Sequence, residues 1–453
     1  MKILVLNGSP KGENSVTLQT ALYLEKLCPH CQFTYLHVGQ RIRALEKNFA
    51  PCRDALEQAD LILFCYPVYT FLVPAQLHRF IELIKEDGVD LSGKWATQIS
   101  TSKHFYDNTA HQFIHDNCED LGLRCIRGLS ADMEDLLKEQ GRREVRAFLR
   151  HVFWCMKENV PEPVIQRSGE AWTGLGPALP TEAPKGEKTV ALVTDLSRDD
   201  SGRLRTMIEC FRLQSDCQVQ VIDLGELRID GGCLGCFRCA ADGTCVYRDG
   251  FDSFLRESIQ SKDAIVYAFA IRDHSMGSRF KLYDDRQFCN GHRTVTMGKP
   301  VGYLVSGPLD QEPNLRTLME ARAQVGGNPL AGVATDQRDP GGEIRSLAKN
   351  LSYFLSTDFR QPANFYGVGG MKIFRDLIYQ MQGLMREDHR FYRAKGFYDF
   401  PQKRRGTILA MYLVGSVMKY QKRSKKLGAR MTEGMLMPYR KVLRDVEKEL
   451  KQA

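Results

Sequence analysis

No apolar run in these 453 residues approaches the roughly 20 needed for a membrane-spanning helix. The longest, Thr407 to Met418, is too short. The first twelve residues, MKILVLNGSPKG, do not read as a secretory signal. Their apolar run is only five residues and meets a Gly-Ser-Pro turn at once. A cytoplasmic protein is therefore expected. In that setting, fourteen cysteines point to thiols or metal ligation rather than disulfides. Cys28, Cys31, Cys52, Cys65, Cys118, Cys125 and Cys155 are scattered and read as small core residues. No recognised nucleic-acid motif accompanies the basic residues. The glycine-rich Asn364 to Gly370 reads as a turn before a helix. It is not a G-x-G-x-x-G after a strand, so nucleotide binding there is discounted.

Hydrophobic content of 43 % and charged content of 26 % suit a soluble globular chain, and its length suggests two or three domains. Apolar strands alternate with amphipathic helices from the start. Strands are expected near 2–9, 31–38, 59–69, 93–102 and 123–130, with helices near 14–27, 48–58, 74–87, 108–121 and 134–158. Such alternation implies a parallel sheet covered on both faces. Residues 161–187, rich in proline and glycine, form a linker. The pattern then restarts, with strands near 189–195, 219–224, 263–271, 299–307 and 328–336.

The restart is a repeat. Asp60-Leu61-Ile62-Leu63 matches Asp263-Ala264-Ile265-Val266 at a shift of 203, as do Leu77 with Phe280 and Phe80 with Tyr283. The first strands align at a shift of 187, so the second copy has about 16 more residues between its first and third strands. The domains expected are 1–160, 188–360 and a helical basic tail, 361–453.

The loop after the first strand reads N-G-S-P-K-G-E-N-S-V-T. Gly8 allows a tight turn, Ser9, Asn14, Ser15 and Thr17 offer polar groups, and a helix N-terminus follows, which suits a phosphate. Strand 3 ends in Tyr66-Pro67-Val68-Tyr69-Thr70-Phe71, followed by Pro74 and a helix. The pair G-S-P-K-x₂-N-S and P-V-Y-x₄-P resembles the flavodoxin-like NAD(P)H-dependent FMN reductases. The resemblance spans residues 1–160 and implies two doubly wound, five-stranded flavodoxin-like α/β domains in tandem. It places Ser9, Lys11, Asn14, Ser15, Val16 and Thr17 around the FMN phosphate. Pro67, Val68, Tyr69 and Phe71 would lie against the isoalloxazine, with Ser100, Thr101 and Ser102 closing its other side. It implies no catalytic acid or base, since the flavin carries the hydride chemistry. His104 and Tyr106 sit near the expected ring, but each reads more simply as a loop residue.

Residues 231–245, G-G-C-L-G-C-F-R-C-A-A-D-G-T-C, set Cys233, Cys236, Cys239 and Cys245 at C-x₂-C-x₂-C-x₅-C spacing. Four thiolates suit an iron–sulfur cluster or tetrahedral zinc. The run resembles the compact cysteine motif of the iron–sulfur flavoproteins in the same group, which implies a [4Fe-4S] cluster. The second domain departs from the family elsewhere. Asp195-Leu196-Ser197-Arg198-Asp199-Asp200 stands where G-S-P-K is expected, and Ala270-Ile271-Arg272 where P-V-Y is expected. The expectation is FMN in the first copy and a cluster in the second, paired between domains or between subunits.

From Pro401 onward, 14 Lys and Arg face 4 Asp and Glu, so the body is near neutral and the tail basic. The tail reads as a helical arm on the domains or on another subunit in preference to a membrane-surface helix. The function expected is a flavin-dependent oxidoreductase, with NAD(P)H reducing FMN and electrons passing to a small-molecule or protein acceptor. The alternative is an electron carrier docking to a redox partner. An oligomer of identical chains is expected, without nucleic acid.

Overall fold

The apolar run after Lys2 forms β1 (Lys2–Asn7), buried from Ile3 onward. It starts a computed structural model that describes residues 1–164, 172–197, 199, 201–420, 448 and 452. The chain divides into two units, residues 1–394 and 395–453.

The first unit opens with α1 (Val16–Leu27), β2 (Gln32–Leu36), α2 (Val38–Leu45), α3 (Ala50–Gln58), β3 (Leu61–Pro67) and α4 (Ala75–Asp87). Then come β4 (Trp95–Ser102), α5 (Asp107–Asp120), β5 (Arg124–Cys125), β6 (Leu129–Asp132) and α6 (Glu139–Glu158). The strands pair in parallel in the order β2-β1-β3-β4-β5, with β6 also on β4. The second copy runs β7 (Thr189–Thr194), α7 (Arg203–Gln214), β8 (Gln218–Asp223), α8 (Arg238–Asp242), α9 (Phe251–Phe254) and β9 (Ala264–Ala270). It continues through α10 (Ser278–Arg286), β10 (Val301–Ser306), α11 (Pro313–Gly326), β11 (Leu330–Thr335) and α12 (Pro340–Thr357). Its parallel order, β11-β10-β9-β7-β8, is the same topology. Both are flavodoxin-like, and the order reverses beside the first strand of each, where ligands bind.

The copies face one another across α4 and α10. The Ala75 N–H donates to Asp285 Oδ2 (2.8 Å), and the Ser278 N–H donates to Glu82 Oε1 (2.8 Å). At the shift of 203, Ala75 corresponds to Ser278 and Glu82 to Asp285. The contact is thus self-complementary, as in a two-fold dimer, but within one chain. One buried apolar cluster runs through both copies, and two more lie within the separate copies.

Several elements differ from the sequence reading. Val38–Leu45 is helical, although its start was read as the end of a strand. The strand expected at 123–130 is broken into β5 and β6. Helix 250–260 changes from α to π winding at Leu255. Cys28 and Cys31, expected as thiols, are joined as a disulfide with Cα atoms 5.6 Å apart. The glycines of 364–370 lie inside α13 (Phe365–Gln380), not in a turn. They serve close packing: a Cβ on Gly370 would meet Val325 Cγ2 at 2.5 Å. α13 and α14 (Arg386–Ala394) belong to the first unit. The linker residues 172–187 carry no helix or strand, and 165–171 lie outside the described residues.

The second unit carries α15 (Arg405–Tyr420), which holds the apolar run from Thr407. The basic stretch after Tyr420 lies outside the described residues. No helix among the described residues is long and apolar enough to cross a membrane.

Candidate functional site

The loop after β1 is braced from below by Asn7, a fully buried side chain at the end of β1. Its Nδ2 donates to Gly12 O (2.8 Å), and its Oδ1 accepts from the Ser9 N–H (3.2 Å). Ser15 caps α1, its Oγ accepting from the Leu18 N–H (3.4 Å). No carboxylate caps this helix, so the positive end of its dipole stays open beside Lys11. Ser9, Lys11, Ser15, Val16 and Thr17 line a cleft of about 220 Å³.

The ends of β3 and β4 form the next wall, with Pro67, Val68, Tyr69, Thr101 and Ser102 on the cleft. Thr70 and Phe71 adopt left-handed backbone, φ 41° and 69°, in a turn closed by paired hydrogen bonds between Tyr69 and Leu72. Tyr69 is held by a cross-domain bond, Lys281 Nζ donating to its carbonyl (2.8 Å). Burial raises its hydroxyl well above the usual tyrosine range.

The opposite wall comes from the second copy. Cys233, Cys236, Cys239 and Cys245 all line this same cleft, together with Leu234, Phe237 and Tyr247. Gly235, at φ 61°, brings the cysteine loop against the first domain; a Cβ there would stand 2.3 Å from the Tyr69 hydroxyl. Lys11 Nζ lies 5.7 Å from the Phe237 ring centre. The loop is tied at its base. The Asp230 N–H donates to Asp249 Oδ2 (2.9 Å), and the Tyr247 hydroxyl donates to Gly232 O (3.0 Å). Arg286 grips Asp249 through both oxygens (2.7 and 2.9 Å) and also donates to Gly231 O (3.1 Å). Burial alone would raise the Asp249 carboxyl, but the Arg286 bonds hold it well below the usual range.

Burial pushes the Cys239 thiol up to about 11 and Cys233 higher still. Metal ligation would have to overcome that burial, as a bound cation does. Among the described residues, three groups of ligating side chains converge within 4.8 Å: His78-Glu82-Asp273, His115-Asp116-Glu119 and Asp116-His274-Glu312. None contains a cysteine. Tetrahedral zinc would draw four sulfurs to about 3.8 Å of one another. The described cysteines form no group drawn that close.

α13 covers the cleft with Ile373, Phe374 and Leu377; Phe374 stacks on Phe105 at 4.4 Å. Asp388 of α14, fully buried, accepts from the His292 N–H (3.0 Å) and anchors the arm beside the cysteine loop.

Not every residue singled out in the sequence lines the cleft. Asn14 lies off it, its N–H bonded to Lys11 O (3.1 Å). Ser100 turns away and pairs with His111 Nε2 (2.7 Å). Phe71 is buried against Phe105 and Tyr106. His104 pairs with Asp107, and Tyr106 donates to Tyr366 O (2.7 Å). Sequence reasoning missed Cys289, a fifth cysteine on the cleft, along with Arg286, Phe288, His292 and Phe374. Cys289 stands alone in sequence, so no spacing signals it.

In the second copy the corresponding places are filled. Asp199 accepts from the N–H groups of Leu204 (3.4 Å) and Arg205 (2.9 Å), so its carboxylate takes the α7 N-terminus where a phosphate would bind. Arg198 and Asp200 of that loop lie outside the described residues. Asp273 and His274 repeat the left-handed turn of Thr70 and Phe71, with φ 49° and 60°. Here the turn carries ion pairs: His274 with Glu312 (2.8 Å) and Asp120 (3.0 Å), and Asp273 with Lys85 (3.0 Å).

Residues 1–118 match the family model described as NADPH-dependent FMN reductase. Among solved structures, the chain is similar to an FMN-dependent NADH-azoreductase from Bacillus anthracis in complex with FMN. Identity is 14 % and TM-score 0.27, covering 33 % of this chain and 97 % of that one. It is also similar to the flavoenzyme NAD(P)H:(acceptor) oxidoreductase from Paracoccus denitrificans, with 18 % identity, TM-score 0.29, and coverage of 34 % and 97 %. No curated protein matches.

Proposed function

We propose, from the match of residues 1–118 to the NADPH-dependent FMN reductases, that this chain is an NAD(P)H-dependent flavin oxidoreductase with one FMN site. The observation that carries the reading is the cleft itself, with the phosphate loop on one wall and four cysteines on the other.

Bound FMN would supply hydride and single-electron chemistry. Ser9, Lys11, Ser15, Val16 and Thr17 hold its phosphate by hydrogen bonds, charge and the helix end. Pro67, Val68, Tyr69, Thr101 and Ser102 flank its ring system. Phe105, Phe374 and Leu377 keep water from the cleft. The cysteine loop places Cys233, Cys236, Cys239 and Cys245 to hold a [4Fe-4S] cluster beside that site. The pairing of flavin and cluster is then intramolecular, because the two copies form the cleft together. The acceptor is a small conjugated molecule, such as a quinone, or a redox protein.

An anaerobic absorption spectrum, with FMN and iron counted per chain, tests both cofactors. The expected result is about one FMN and about four iron atoms per chain, with flavin absorbance bleached by NADH or NADPH. Iron-free protein that still binds and bleaches FMN removes the cluster from this reading. Bleaching by a reduced ferredoxin but by neither nucleotide replaces the reductase with an electron carrier.

A further inference from the structure

A second cavity, about 170 Å³, lies in the second domain and shares Thr70, Phe105, Phe288, Gly291, His292 and Phe374 with the cleft as common walls. Asp284 of α10, Arg322 of α11 and Thr294 also line it. Arg322 Nη1 and Asp284 Oδ1 form an ion pair, with the side chains 10 % and 2 % exposed. Asp284 Oδ1 also accepts from Gln287 Nε2 (3.2 Å). Beyond Arg322 Nη1, which has only the ion pair, three buried atoms have no hydrogen-bond partner: Arg322 Nε, Asp284 Oδ2 and Thr294 Oγ1. Buried polar atoms are almost always satisfied, so a set of three on one cavity wall calls for an occupant.

The fold does not require this arrangement. At the shift of 203, Asp284 corresponds to Ile81 and Tyr267, also on the wall, to Phe64. Both counterparts are buried apolar core. The first copy therefore builds the same framework without an ion pair there, and such a pair is costly to bury.

The pair is neutral as a whole, so either charge on a ligand would meet one repelling partner. A neutral group presenting an acceptor and a donor side by side satisfies both. We infer that the cavity takes the carboxamide of an aromatic ring, of the kind carried by the nicotinamide end of NAD(P)H. The amide oxygen accepts from Arg322 Nε–H and Thr294, and the amide nitrogen donates to Asp284 Oδ2. This rests on the oxidoreductase reading and names the part of the donor that the second domain recognises.

The test uses the full chain, first titrated with FMN by flavin fluorescence, then with nicotinamide and nicotinate by calorimetry. Nicotinamide is expected to bind at least about ten-fold more tightly than nicotinate, whose carboxylate faces Asp284. Asp284→Asn narrows or reverses that preference. Thr294→Val, close to isosteric and leaving the ion pair intact, weakens nicotinamide several-fold with FMN affinity unchanged. Equal binding of the two ligands, binding of neither, or indifference to Thr294→Val overturns the inference. If Asp284→Asn does not fold, the wild-type preference and Thr294→Val still decide it. FMN binding with bleaching by NADH, but no discrimination between the ligands, sinks this inference alone. Failure to bind FMN sinks the function it rests on.

Discussion

At the start of α1, the N-cap serine hydroxyl accepts a free N–H; at the start of α7, whose N-cap is Gly202, the Asp199 carboxylate from the preceding loop does. Both satisfy N–H groups that a helix N-terminus leaves free. They differ in what they leave over. Ser15 keeps the helix end uncharged and open beside Lys11, whereas Asp199 neutralises it. The same contrast recurs at the left-handed turns. Phe71 packs among aromatics beside the cleft, while its counterpart His274 ties the copies together by ion pairs. On the proposed reading, one copy keeps its loop ends for a ligand, and the other spends them on cohesion and on presenting cysteines. A duplicated fold can divide its work because loop chemistry changes without disturbing the sheet.

The largest effect is expected at Arg286, which holds the cysteine loop shut from a fully buried position. Arg286→Met leaves Asp249 charged and unpaired, at a cost of about 3–5 kcal/mol. Thermal unfolding measures it; a change under 1 kcal/mol would show that the loop does not depend on this clamp.

The His274 ring comes next. Burial would lower its pKa, but Asp120 and Glu312 raise it to about 9. The folded value lies above the unfolded one of 6.5, so the stabilisation is complete below pH 6.5 and fades as pH rises through about 9. Urea unfolding at pH 6 and pH 9.5 should differ by up to roughly 3 kcal/mol, and His274→Gln should flatten the difference.

Transplanting the second copy's solution into the first sharpens the comparison directly. Ser15→Asp keeps a good cap, so melting is unchanged, but the new carboxylate faces the phosphate. FMN affinity should fall about thirty-fold or more, roughly 2 kcal/mol, by flavin fluorescence. Unchanged affinity would remove Ser15 from the phosphate site. Asp199→Ala gives the smallest effect, about 1 kcal/mol of stability, with no second FMN gained; two FMN per chain in this variant would break the proposed division.

Much of this was legible in the residues. The shifts of 203 and 187 reappear as structure: Asp60 accepts from the Lys2 N–H, and Asp263 from the Thr189 N–H. Strands were readable because residues buried on both faces must be apolar throughout. Helix α2 was missed because its first residue continued a strand-like run. The glycines of α13 misled because sequence cannot distinguish a glycine needed for a turn from one needed for close helix contact.

What the sequence by itself determined was the two-copy α/β framework, the Gly-Ser-Pro loop after β1, the cysteine spacing and the copy in which each lies. These are local signals, set by periodicity and neighbouring residues. Only the tertiary structure decided that the cysteine loop of the second copy closes the cleft beside the β1 loop of the first, and that Cys289, Phe374 and His292 join it. Those residues meet through the packing of α4 on α10 and the return of α13. Contacts between residues two hundred positions apart depend on how whole surfaces fit, which no local pattern encodes.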